Sequence, residues 1–221
     1  MILGGAAVGL AAKRLVAKRR ATAGDVAMSR FTAYFIVPVW IGAGFLDMIW
    51  HRRMHIETTS GLEESLSHTL MMVEAAPAVL APLLLEINSG VLAGMLGLAI
   101  LHEATVLWDL RYTNPRRPTP AGEQITHTFL EAPPFLTAAA AVATHWGDFL
   151  ALFGRGRRRR VMRIRFRWAP IPVSHMLAIF AAMAVFGGVP HADELRRCIQ
   201  AKRAGRDGQD SPECLAAVYQ N

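Results

Sequence analysis

The sequence predicts an all-α polytopic membrane protein, a helical bundle of about five spanning helices. Three observations carry that prediction: five apolar runs of spanning length, no alternating strands of about ten residues, and basic residues gathered outside the runs. A hydrocarbon layer about 30 Å thick needs about 20 mostly apolar helical residues to cross it. A soluble bundle is disfavoured because residues 75–85 and 90–101 have almost no polar face.

The elements follow in order. Residues 1–12 are apolar but too short to span, and they precede the cluster Lys13, Arg14, Lys18, Arg19 and Arg20, the reverse of a secretory signal. Residues 1–30 are therefore expected to be a basic amphipathic segment lying on anionic headgroups. The first span covers about 31–50 and the second 69–87. Asn88-Ser89-Gly90 turns the chain into the third, 91–108. A Pro-rich connection, Asn114 to Pro120, leads to the fourth, about 129–153, so that residues 31–153 form a four-helix membrane bundle. An Arg-rich connection, 154–169, precedes the fifth span, 170–190, and residues 191–221 are expected to form a tail.

Of the 221 residues, 52% are apolar and 19% charged, which excludes a disordered tail protein, and two cysteines exclude a disulfide-framework miniprotein. The net charge of +7 conceals a segregation. Between Asp47 and Glu131 lie ten acids against five arginines, a balance of −5, leaving +12 for the remainder. With five spans, fourteen basic residues fall on one side, eight of them in the Arg-rich connection. That side is expected to be cytoplasmic, in a cell inner membrane, with the N-terminus inside and the tail outside. The arginine run suits lipid headgroups better than nucleic acid, which is excluded as a partner. Cys198 and Cys214 share the extracytoplasmic tail, where a disulfide is expected.

The chain also resembles itself. Glu64-x-x-x-His68-Thr69 followed by Glu74-Ala75-x-Pro77 matches Glu123-x-x-x-His127-Thr128 followed by Glu131-Ala132-x-Pro134. A duplicated helix hairpin explains this pattern across the first four spans.

Ionisable groups in spanning helices need partners, and here they come at helical spacing. Asp47, His51 and His55 lie four apart, as do Glu123, His127 and Glu131; Glu64 pairs with His68, and His102 shares a face with Asp109. Four helices each offer imidazole and carboxylate, the ligand types of a di-metal centre. The candidate ligands are Asp47, His51, Glu64, His68, Glu74, His102, Glu103, Asp109, Glu123, His127 and Glu131, while His145, His175 and His191 lie outside the group. Two Fe ions are the expected cofactor, with Cu, Zn or Mn as alternatives by ligand type. Haem is disfavoured, since it needs no surrounding acids. The expected activity is a metal-dependent oxidoreductase of the oxygenase or hydroxylase type, acting on a lipophilic substrate and served by an electron-donor or larger membrane subunit. The alternatives are a metal or ion transporter and a non-catalytic accessory subunit.

Overall fold

The computed structural model describes residues 21–167 and 171–210. The expected N-terminal amphipathic segment before residue 21 lies outside them, as does Cys214 and with it the expected disulfide; Cys198 is buried. Among the described residues the fold is all-helical, 76% helix without a β-strand.

Helix α1 runs Ala23–Arg53, relaxed by one π turn at Thr32–Ile36. Thr22 caps it, and the Thr22 side chain and Asp25 satisfy each other's backbone N–H groups. Helix α2 spans Gly61–Leu84, α3 Ser89–Thr113 and α4 Ala121–Thr144; a short helix α5, Trp146–Leu152, follows at a bend of 98°. Helix α6 runs Val173–Arg203 and carries a second π turn at Met183–Gly188. Helices α1, α2, α3 and α6 are long and apolar enough to cross a membrane, and α4 with α5 would make a fifth if the bent pair is one span. Their outer faces fit that reading: Val73, Ile100, Trp108, Ile125 and Leu177 all stand exposed.

Caps and glycines explain several element boundaries. Asn88 Oδ1 accepts from the N–H groups of Gly90, at 2.9 Å, and Val91, so the turn foreseen in the sequence starts α3. Helix α2 begins at Gly61, eight residues before the expected span, because a positive φ of 72° lets the chain turn there. That early start brings Glu64 and His68 into the helix. Helix α4 likewise begins at Ala121, and Gly122 admits the Trp50 ring, since a Cβ there would stand 2.4 Å from Trp50 Cζ2.

Two apolar layers hold the bundle. One joins Ile36, Val37, Val79, Leu83 and Ile179; the other joins Met28, Leu92, Met95, Ala138 and Ala141. The Arg-rich connection folds across the turn between α2 and α3, where the N–H groups of Glu86 and Gly90 donate to the carbonyls of Arg165, at 2.9 Å, and Val161, at 2.8 Å. Ile164 and Phe166 project outward from it, fully enough exposed to enter an interface.

Candidate metal centre

At the end of the bundle away from that connection, α1, α2, α3, α4 and α6 converge on a buried group of imidazoles and carboxylates. Helical spacing delivers it: Asp47 and His51 occupy one face of α1, Glu64 and His68 one face of α2, Glu123 and His127 one face of α4. His51 Nε2 lies 3.3 Å from Asp47 Oδ2 and 3.8 Å from Glu123 Oε1. His127 Nε2 lies 3.0 Å from Asp47 Oδ1 and 3.8 Å from Glu123 Oε1. His68 Nε2 lies 3.5 Å from Asp109 Oδ2, and its ring stacks on that of His51 with centroids 4.8 Å apart.

Two overlapping sets can hold a metal ion: Asp47, His51, Glu123 and His127, and His51, Glu64 and His68. Buried polar atoms ordinarily find hydrogen-bond partners. Here Asp47 Oδ1, His51 Nε2 and His127 Nε2 make no hydrogen bond of normal geometry. Asp47 Oδ1 and His127 Nε2 face each other at 3.0 Å and His51 Nε2 lies 3.3 Å from the other Asp47 oxygen, so imidazoles and carboxylate meet at one point essentially inaccessible to water, where a cation could take the place of the shared protons.

Two residues that the sequence reading assigned elsewhere shape the site. Arg117, from the Pro-rich connection, is fully buried and grips both repeat carboxylates. Its Nε and Nη2 donate to Glu64 at 3.1 and 2.5 Å, and its Nη1 and Nη2 to Glu123 at 3.0 and 2.6 Å. Burial alone would depress its pKa, but Glu64 and Glu123 beside it raise it, so it stays charged. Glu194, expected in the tail, lies on α6 and takes the Nδ1–H of His51 at 2.7 Å. That bond leaves the His51 Nε2 lone pair facing Asp47 and Glu123.

These two residues bear on the expected pair of ions. His51 has a single nitrogen to offer, so it serves one set or the other. Glu64 and Glu123 both hold Arg117 as well, so each set shares a carboxylate with the guanidinium. The set Asp47, His51, Glu123 and His127 keeps one carboxylate, Asp47, that does not touch Arg117.

The remaining candidates separate. Asp109 joins the cluster beside His68 and accepts a short hydrogen bond from Ser67 Oγ. Glu74 lies deeper, where Thr105 Oγ1 donates to it at 3.0 Å, and His102 lies deeper still on α3. Glu103 is half-buried outside both sets, and Glu131 is half-buried on the wall of an adjoining cavity. His191, read from sequence as outside the group, reaches that same cavity and meets Thr69 Oγ1 through Nε2 at 2.8 Å. A readable signal for α6 did exist, since His191, Glu194, Cys198 and Ala201, all buried, recur at helical steps.

No family model, no curated protein and no solved structure matches this chain.

Proposed function

We propose that the protein is an integral membrane metalloprotein, an oxidoreductase of the oxygenase type acting on a lipophilic substrate. The observation that carries the reading is the convergence of His51 Nε2, His127 Nε2 and the Asp47 and Glu123 carboxylates within ligand distance of one another in a buried, helix-lined site. Two imidazoles with carboxylate suit Fe(II) and leave positions open, while Cu, Zn and Mn accept overlapping ligand sets. A bound redox metal would supply electron transfer to an oxidant. The chain's own residues have separate tasks: His51 and His127 hold the ion, Glu194 fixes the His51 tautomer, Arg117 balances the acids, and the surrounding helices exclude water.

The charge segregation supports an orientation with the Arg-rich connection cytoplasmic and the metal end outside. The facing Glu-x-x-x-His turns of α2 and α4 support an origin by duplication of a hairpin. An electron-donor subunit completes the proposal, because the chain has no haem-attachment motif, iron–sulfur cysteine set or dinucleotide fingerprint. The transporter alternative requires ionisable groups through the depth of the bundle. Between the two ends, Glu74 and His102 lie below the cluster, and beyond them the described core is Val79, Leu83, Leu92, Met95 and Ala138, without an ionisable group.

Elemental analysis of the purified protein in detergent, with an absorption spectrum, tests the reading. The expected result is about one Fe per chain, without a haem band, lost on His51→Ala and His127→Ala. A folded protein that takes up none of Fe(II), Cu, Zn or Mn would overturn it and favour the accessory-subunit alternative.

A further inference from the structure

Beside the metal cluster the helices line a partly open pocket of about 110 Å³. Asp47, His68, Asp109 and His127 line one end of it. Trp40, Ala75, Val106 and His102 also line it, deeper in the bundle. Seven positions on α3 separate Asp109 from His102, which is about 10 Å along the helix. The space is therefore a slot with metal-ligand side chains at one end and a lone imidazole towards the other.

Two glycines keep it open. A Cβ on Gly44 would meet only Leu130 Cδ2, at 3.8 Å, and one on Gly187 would meet nothing within 4 Å. His102 is the unexplained group in its wall. It is 4% exposed, with the Met71 backbone beside one side of its ring and no hydrogen bond of normal geometry at either nitrogen. The other imidazole off the metal sets, His191, meets Thr69 through Nε2 and leaves Nδ1 unpaired. Small apolar cavities stay dry and accept guests of about benzene's size. The carboxylates of Asp47, Asp109 and Glu131 would repel an anion, and the apolar walls give a charged group no hydration.

We propose that this slot binds a small, uncharged, largely apolar molecule carrying one hydrogen-bonding group, with His102 bonding that group and the apolar body lying towards the metal ligands. The proposal rests on the metal-centre reading and names the substrate class of that site. The His102 nitrogen not turned to the Met71 backbone makes recognition selective: a guest able to hydrogen-bond gives it a partner, and one that cannot leaves it without one.

The test uses the full chain in lipid nanodiscs, with metal content measured first. Fluorine NMR line broadening then follows titrations of 4-fluorophenol and, lacking the hydroxyl, fluorobenzene. Saturable 4-fluorophenol binding is expected in the wild type. His102→Leu should weaken it about tenfold and leave fluorobenzene unchanged. Gly44→Leu, which fills the slot, should abolish saturable binding of both probes; Gly187→Leu, from the facing helix, replaces it if that variant fails to fold. Broadening that never saturates, or that is identical in wild type and a folded slot-filling variant, would overturn the pocket. 4-Fluorophenol affinity indifferent to His102→Leu would overturn the role of His102. Saturable probe binding in a protein that takes up no metal would instead sink the metal reading and leave the pocket standing.

Discussion

At one end of the bundle Asp25 meets His145 and Arg167; at the other Asp47 meets His51 and His127. The ingredients are nearly the same, a buried carboxylate among imidazoles with an arginine close by. Around Asp25 both carboxylate oxygens are engaged. One carboxylate oxygen takes the Thr22 N–H at 2.8 Å and the Thr22 hydroxyl at 2.9 Å, while the other lies 3.0 Å from His145 Nε2 and 3.2 Å from Arg167 Nη1. Around Asp47 the same 3.0 Å separation recurs, from Oδ1 to His127 Nε2, but neither it nor the 3.3 Å approach of His51 Nε2 makes a hydrogen bond of normal geometry. Buried acid beside buried histidine is therefore no sign of a metal site on its own. The sign is convergence, because two imidazoles and two carboxylates each bring an atom to one point around Asp47, whereas Asp25 meets a single imidazole.

Replacing residues at each end measures that difference. The largest effect is expected from Arg117→Met, which leaves Glu64 and Glu123 facing each other without a counter-charge: about 3–5 kcal/mol lost in thermal unfolding of the chelator-treated protein. Metal added back should recover part of that loss, since a cation can replace the guanidinium. A variant as stable as wild type would show that the two acids shed their charge.

Glu194→Gln should weaken metal binding about 10–100-fold in a competitive chelator titration, because the amide no longer enforces the His51 tautomer. Unchanged affinity would reduce Glu194 to packing. Asp25→Asn should cost about 1–3 kcal/mol of stability and leave metal affinity as it was. A change in metal affinity there would mean that the two ends are coupled, and the contrast between them would fail. The smallest effect is expected at the rim, where Arg52 and Asp193 pair with side chains 62% and 36% exposed. Arg52→Ala should alter stability by less than about 1 kcal/mol, measured in the same unfolding assay, without changing metal content.

How far the sequence foretold these regions depends on how each residue reaches its place. The pairs Asp47–His51, Glu64–His68 and Glu123–His127 were legible because four residues make one helical turn, and only their mutual facing had to come from the fold. The apolar runs gave the spans, but their starts were set too late at α2 and α4. Hydropathy falls off across the polar first turns that carry Glu64 and Glu123, and helix geometry does not. Arg117 was hidden for another reason. It sits among prolines in a connection with no periodicity, so nothing local tells that its side chain turns inward. Glu194 was hidden by the low hydropathy of Val189–Arg203, which reads as a tail although its buried positions keep a helical step.

The bond from His51 to Glu194 spans 143 residues and closes on the last of the described helices. During synthesis the first two histidine-bearing helices enter the membrane while α6 is still unmade. Until α6 docks, His51 is free to carry its proton on the other nitrogen, although Asp47 already has His127 of α4 within 3.0 Å. The cluster is thus set in two stages, its members brought together by α1, α2 and α4 and the His51 tautomer fixed only when α6 packs against them.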